Sequence, residues 1–154
     1  MSTTIVLLAL LLYIPTSILC LYVGLRVIGY VPKAKPLLIF GALHGILLTI
    51  FHNTPRLFGL HIPLNTLTMI LIIYYLARCR LGMAVLAGLV AVLLTAIGEG
   101  LFTAPLFLLM GVSLEESIKT FGYRMLGGWF GNILLLLISL VLYFQGRHKG
   151  ASKA

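Results

Sequence analysis

Long apolar runs separated by short polar segments organise the whole chain. An α-helix rises about 1.5 Å per residue, so roughly 20 apolar residues cross the hydrocarbon core of a bilayer. The apolar runs cover about 4–26, 36–53, 60–77, 82–110 and 125–144. This pattern predicts an all-α integral membrane helical bundle of about five transmembrane helices.

Turn signals refine the ends of these runs. Pro36 opens the second run and suits the first turn of a helix, and the Asn53-Thr54-Pro55 turn closes it. The fourth run is too long for one straight crossing, and Gly98, Gly100 and Pro105 interrupt it. We therefore expect the fourth helix to be kinked or broken, with these three residues as its hinge.

A polar segment follows the fourth run. Ser113 and Glu116 match the capping box, in which a serine and a glutamate three residues later satisfy free amides at the start of a helix. We predict a short interfacial helix near 113–121. Residues 1–146 are expected to form a single transmembrane helical-bundle domain, and 147–154 a basic cytoplasmic tail.

Composition supports a bilayer protein, since 61% of the residues are hydrophobic and only three are acidic. The first apolar run lacks a basic leader and an Ala-x-Ala cleavage site, so we interpret it as a retained helix rather than a secretory signal. Cys20 and Cys79 lie far apart in the chain and are expected to contribute to packing.

Basic residues predict the orientation, because short cytoplasmic loops carry an excess of Lys and Arg. With five crossings, one side of the membrane holds eight of the eleven basic residues: Arg26, Lys33, Lys35, Arg78, Arg80, Arg147, Lys149 and Lys153. The N-terminus is therefore expected outside and the C-terminus in the cytoplasm of a cell membrane. The net charge of +8 then follows from topology and anionic lipid, and nucleic acid is not expected as a partner.

Small residues recur at helical spacing within the runs, as is typical of helix–helix contacts in lipid. The candidate packing positions are Gly41, Gly45, Gly88, Gly127, Gly128, Gly131 and Asn132. These positions predict a bundle and carry no activity of their own.

Three ionisable residues inside the runs are the candidate functional residues: Glu99, His44 and His52. An ionisable group within a span is costly to bury and is a functional hypothesis by default. Glu99 would be a hydrated cap near the outer interface, whereas at greater depth it would need a partner such as one of the two histidines, Tyr74 or Tyr75.

His44 and His52 are expected to pack in the core or at the interface, with proton or ligand sensing as the alternative. They lie about 12 Å apart along one helix, too far to share a metal ion or a haem. We therefore expect no metal and no cofactor. No serine–histidine pair or paired carboxylates fall inside a span, and Thr120 stands where the CAAX-type membrane proteases need arginine after Glu115-Glu116. An enzyme is not expected.

From about residue 60 to 144, the order of features resembles the N-terminal membrane region of Gram-positive-type sensor histidine kinases of the sporulation-kinase or accessory-gene-regulator receptor kind. The resemblance rests on Arg78-Cys79-Arg80, Ile97-Gly98-Glu99, Pro105, residues 111–118 and the glycine-rich start of the final run. It implies a multi-helix sensor whose last span leads into a cytoplasmic kinase. Neither a phosphoacceptor histidine segment nor an ATP-binding domain follows residues 145–149, so we expect a stand-alone relative or a membrane fragment.

The leading interpretation is a non-catalytic membrane sensor or partner subunit that relays a signal through its last helix. Its expected partners are the lipid bilayer and either a cytoplasmic kinase or another membrane subunit, and a homodimer stays open. The alternative is a small membrane transporter, or a substrate-binding transport subunit, in which intramembrane Glu99 binds or couples.

Overall fold

Residues 3–54 and 60–151 are described by a computed structural model, and all regular secondary structure in these ranges is helical. The helices are α1 Thr3–Val27, α2 Ala34–Asn53, α3 His61–Ala77, α4 Leu81–Met110, α5 Leu114–Lys119 and α6, which consists of Phe121–Gly131 and Ile133–Ala151 joined by a turn at Asn132. The predicted all-α helical bundle is confirmed.

Four helices, α1, α2, α4 and α6, are long and apolar enough to cross a membrane, and α3 is an apolar helix of 17 residues. The ends of the first four apolar helices agree with the apolar runs to within two residues, whereas the last helix, predicted over 125–144, begins at Phe121 and continues to Ala151. A left-handed backbone at Arg78 (φ 47°) ends α3 and turns the chain sharply into α4. Pro55 and Arg56, together with the last three residues of the tail, lie outside the described residues.

Two helices contain one π-helical turn each, and both turns end just before a proline. In α1 the turn is Ala9–Tyr13 and precedes Pro15; in α4 it is Glu99–Thr103 and precedes Pro105. Proline has no amide hydrogen to donate, so a local change of hydrogen-bond register lets each helix continue past it. The interruption predicted around 98–105 therefore takes the form of a π-helical turn within the 30-residue helix α4.

The main core lies towards the end of the bundle that holds the turns at 28–33 and 78–80 and residue 142, which we call the basic end. Its buried side chains come from α1, α3, α4 and α6: Cys20, Leu21, Val23, Leu25, Met69, Ile72, Ile73, Ala84, Ala87, Ala91 and Leu135. All three from α4 are alanines, so α1 and α4 approach each other closely here.

A second, smaller core lies at the opposite end, which holds α5 and the start of α3. Leu8, Leu12, Tyr13 and Leu48 form it, with Phe121 and Met125 packed against them. Many large apolar side chains on all five apolar helices point outward instead, among them Leu10, Leu71 and Leu93. A soluble protein rarely exposes so continuous an apolar surface, whereas lipid covers it at no cost.

The short helix α5 has the serine half of the predicted capping box. The Ser113 hydroxyl accepts a hydrogen bond from the Glu116 amide at 3.2 Å, and Lys119 forms an ion pair with Glu115 one turn away. Gly111 ends α4 with a left-handed backbone (φ 65°), which allows the chain to leave α4 before α5 begins.

Candidate functional site

Glu99 begins the π-helical turn of α4 and is the only acidic residue of the apolar helices. Its backbone carbonyl accepts the amide of Ala104, five residues on, instead of the usual partner four residues on. π-Helical turns occur frequently at functional positions, since they displace a side chain from the regular helical face. The sequence places the one carboxyl group of the apolar helices on such a turn.

The stem of the Glu99 side chain lies in the seam between α4 and α6. A Cβ built on Gly131 of α6 would stand 2.8 Å from Glu99 Cγ, so the stem passes over a residue without a side chain. One position earlier, a Cβ on Gly98 would collide with the backbone carbonyl oxygen of Gly131. The two helices therefore touch backbone to backbone beside Glu99.

The carboxyl group itself has no partner in the part of the chain that the structure describes. Glu99 is an exposed residue, and among residues 3–54 and 60–151 it makes no hydrogen bond or ion pair. Neither His44 nor His52 reaches it, and neither do Tyr74 and Tyr75. A single charge in the middle of a transmembrane helix costs about 3 kcal/mol on insertion scales, so an unpaired carboxylate in this position is destabilising.

Contacts along α6 indicate how deep Glu99 lies. Near the basic end, Arg26 Nη2 donates to the Leu142 carbonyl oxygen at 2.9 Å; near the opposite end, Arg124 Nη2 donates to the Tyr13 hydroxyl at 2.6 Å. Gly131, beside Glu99, is separated from Leu142 by about 16 Å and from Arg124 by about 10 Å of helix. We call the part of the bundle between these two arginine levels the apolar layer, and Glu99 lies within it, nearer to the level of Arg124.

Two threonines of α4, Thr95 and Thr103, lie one helical turn before and after Glu99 on the same side of the helix. Thr95 Oγ1 lies 3.5 Å from the Cys20 sulfur of α1, and Thr103 Oγ1 donates to the Gly127 carbonyl oxygen of α6 at 2.6 Å. Positions 95, 99 and 103 share one side of the helix because they are four residues apart. The seam thus contains a short ladder of polar groups that borders α1 and α6.

Helix α6 is held to α1 by side-chain hydrogen bonds at three levels. Asn132 Nδ2 donates to Thr16 Oγ1 in the middle, between the Arg124–Tyr13 bond and the Arg26–Leu142 bond. Asn132 is also where α6 departs from regular helix, since it forms a turn between Gly131 and Ile133. The irregular point of α6 is therefore adjacent to Glu99.

His44 is buried among α1, α2 and α3. Its Nδ1 lies 2.9 Å from the Ser17 hydroxyl, and its Nε2 lies 3.3 Å from the Asn65 carbonyl oxygen. Both ring nitrogens thus have partners, and the residue is only 1% exposed. This environment suits a side chain that ties three helices together.

His52 lies at the opposite end of the bundle, away from Glu99. Its ring centroid is 5.4 Å from that of Tyr13 and 4.7 Å from that of His61 at the start of α3. The fold therefore joins four residues, His52, His61, Tyr13 and Arg124, into one polar cluster. Sequence spacing gave no signal for it, because Tyr13 and Arg124 are far apart in the chain from each other and from the two histidines. The described residues contain no group of three or more His, Cys, Asp or Glu side chains placed to hold a metal ion.

The predicted packing glycines each lie where a neighbouring helix approaches. Gly41 and Gly45 of α2 face α1, where a Cβ would overlap Ile18 and Ile14 respectively, and Gly88 of α4 faces Ile70 of α3. On α6, Gly127 faces Phe107 and Thr103, and Gly128 faces Leu12. Gly100 differs from all of these because nothing lies within 4 Å of the position its Cβ would take. Pro105 stands in the first turn after the π-helical segment.

A shallow depression at the basic end is lined by Tyr74, Tyr75, Arg78 and Cys79, on the far side of the apolar layer from the His52 cluster. It does not include Glu99.

Taken together, the fold and the site define a helical membrane protein with one unpaired carboxyl group in its apolar layer. Comparison of the chain with protein families, with curated proteins and with solved structures finds no match.

Proposed function

We propose that this chain is a non-catalytic membrane sensor or partner subunit, in which a signal received at Glu99 is relayed through α6 to a partner chain. One observation carries the proposal. The stem of Glu99 rests on Gly131, next to the turn of α6 at Asn132, so any change at the carboxyl group acts directly on the irregular point of the last helix.

A relay of this kind needs two packings of similar energy that the signal stabilises unequally. An unpaired carboxyl group in the apolar layer disfavours the packing described here, and a bound partner or loss of the charge would remove that penalty. The α6 side of the seam is lined by glycines, onto which Thr103, Phe107 and the stem of Glu99 pack, and small residues of this kind let helices shift against each other.

The output side of the proposal is the basic end, which we place in the cytoplasm with the N-terminus outside. Excess Lys and Arg near short loops favours this orientation. The helical backbone of α6 continues there to Ala151, so a displacement of α6 would reach a cytoplasmic partner. The partner that detects this displacement would be a kinase, another membrane subunit or a second copy of this chain.

The relay can be tested by measuring whether the charge of Glu99 sets the position of α6. Spin labels on Lys35→Cys and Gln145→Cys, both exposed near the basic end, would report the distance between α2 and α6 in lipid nanodiscs, with Cys79→Ser removing the partly accessible native thiol. We expect Glu99→Gln to shift the mean distance by about 2 Å or more, the scale of helix shifts in known switches. An identical distance distribution in both proteins would refute the relay.

Two disulfide ties provide matched controls, each closed before labelling. Thr16→Cys with Asn132→Cys, in a Cys20→Ser background, joins α1 to α6 at their existing hydrogen bond and should abolish the shift. Thr95→Cys alone can pair with native Cys20 and joins α1 to α4, which leaves α6 free. The shift should persist with this second tie.

The second candidate function, a small transporter or transport subunit, is favoured by the polar ladder of Thr95, Glu99 and Thr103 along one seam. Intramembrane carboxylates with neighbouring hydroxyls are typical of ion and proton pathways. Reconstituted vesicles that show pH-driven uptake, lost in Glu99→Gln, would favour transport over sensing.

A further inference from the structure

The outward side of α4 beside Glu99 has unusually little side-chain bulk. Ala96, Gly100 and Ala104 follow one another at four-residue spacing, and all three are exposed. A Cβ on Gly100 would meet nothing within 4 Å, so this strip faces away from every helix of the bundle. We call the surface formed by these three residues and Glu99 the Glu99 face.

We propose that the Glu99 face binds a transmembrane helix of a separate chain that carries a lysine or arginine in its middle, opposite Glu99. The inference rests on the proposed function and deepens it, because it names the class of partner that acts on the carboxyl group. Small residues let a second helix approach the backbone closely, and the basic side chain supplies the missing counter-charge.

The arginines of this chain nearest to Glu99 lie too far away to pair with it, which favours a counter-charge from a separate chain. Arg26 is held at the Leu142 carbonyl oxygen and Arg124 at the Tyr13 hydroxyl, at levels about 16 Å and about 10 Å away from Glu99 along α6. Ion pairing needs charged atoms within about 4 Å. The described part of the chain therefore holds no cation in reach of Glu99.

The same surface is a poor match for a second copy of itself. Two Glu99 faces related by a two-fold axis would bring together alanines, glycines and two carboxyl groups, with no basic group from either copy. Like charges in a medium of low dielectric repel each other strongly. A basic helix from another chain satisfies the carboxylate, whereas a second copy leaves it without a counter-charge.

The proposal can be tested with a defined probe in phosphatidylcholine vesicles. The probe is a poly-leucine helix of about 20 residues with one central lysine, and the matched control peptide has leucine at that position. Energy transfer between labelled peptide and labelled full-length chain measures association. We expect the lysine peptide to bind about tenfold more tightly than the leucine peptide, as an intramembrane ion pair requires, and Glu99→Gln to remove the difference.

Substitutions at two glycines of α4 test whether peptide binding depends on the small residues of the Glu99 face. Gly100→Leu fills the strip beside Glu99, whereas Gly82→Leu adds the same bulk near the start of the helix, and neither Cβ position has a neighbour within 4 Å. We expect the first variant to weaken binding of the lysine peptide by about tenfold and the second to leave it unchanged.

Equal binding of the lysine and leucine peptides would overturn the proposal, as would self-association of the chain that is lost in Glu99→Gln. These failures differ from failure of the relay. Lysine-dependent binding without movement of α6 would keep the partner class and refute the relay. Movement of α6 in Glu99→Gln without lysine-dependent binding would keep the relay and refute the partner class.

Discussion

Replacing Gly98 by alanine should destabilise the bundle more than any other single-methyl change in α4. The added Cβ would collide with the backbone carbonyl oxygen of Gly131 and would stand 3.5 Å from the Leu134 Cβ. The obstructing atom belongs to helix backbone, which cannot rotate away as a long side chain could. Helices α4 and α6 would have to separate along the seam.

The size of the effect follows from packing energetics. Overpacking a tight core costs about 1–3 kcal/mol and occasionally more, and we expect the upper half of this range because the collision is with backbone. Separation by 0.5–1 Å also forfeits roughly a quarter to a half of the dispersion energy of each contact across the seam. The Thr103–Gly127 hydrogen bond, which spans the same seam, would lengthen.

Gly100→Ala, two residues further along α4, is the matched control. It adds the same methyl group to the same helix, yet its Cβ meets nothing within 4 Å. Unfolding of the purified protein in mixed detergent micelles, followed by circular dichroism, gives the free energy of unfolding for each variant. We expect a loss of about 2–3 kcal/mol for Gly98→Ala and less than about 1 kcal/mol change for Gly100→Ala. Equal stability of the two variants would refute the close approach of α4 and α6.

Three further predictions test the polar contacts. His44→Phe keeps a ring but removes the hydrogen bonds of the imidazole, so the same unfolding assay should show a loss of about 1 kcal/mol, given roughly 0.6 kcal/mol per interhelical bond in membranes. Tyr13→Phe removes the acceptor of Arg124 and should also cost about 1 kcal/mol in that assay; no loss would mean that the bond is dispensable. Ser113→Ala removes the cap of α5, worth about 1 kcal/mol, and should speed amide hydrogen exchange in 114–119 about fivefold without lowering global stability.

The helices could be predicted from the sequence because the thickness of the bilayer fixes how long an apolar run must be. Predicted runs at 36–53 and 60–77 match α2 at Ala34–Asn53 and α3 at His61–Ala77. The last helix begins earlier than predicted, at Phe121, because the glycine-rich stretch before 132 is helical. Glycine lowers helix propensity in water, but close packing against α4 and α1 compensates for it here.

The partners of individual residues could not be predicted in the same way. Small residues at helical spacing indicate that a face packs, but they do not indicate which helix it meets or which glycine faces outward. Gly98 and Gly100 look alike in sequence, yet one touches backbone and the other faces open space. The bond between Arg124 and Tyr13 joins residues 111 positions apart, for which a single sequence gives no signal. The π-helical turn before Pro15 was also missed, although the same logic applies to it as to Pro105.

The two sides of α6 are bonded in different ways, and this asymmetry favours a moving last helix. Towards α1, α6 makes side-chain hydrogen bonds at three levels, through Arg124, Asn132 and the Leu142 carbonyl. Towards α4 it presents mainly glycine backbone with one hydrogen bond, from the Thr103 hydroxyl to the Gly127 carbonyl oxygen, and there the apolar layer holds an unpaired carboxyl group. Hydrogen bonds fix a register, whereas smooth backbone contacts tolerate sliding. The hydrogen bonds to α1 are weaker than a covalent tie, so pairing or neutralisation of Glu99 would displace α6 along the α4 seam and move its terminus at the basic end, provided that Asn132 is not covalently joined to Thr16.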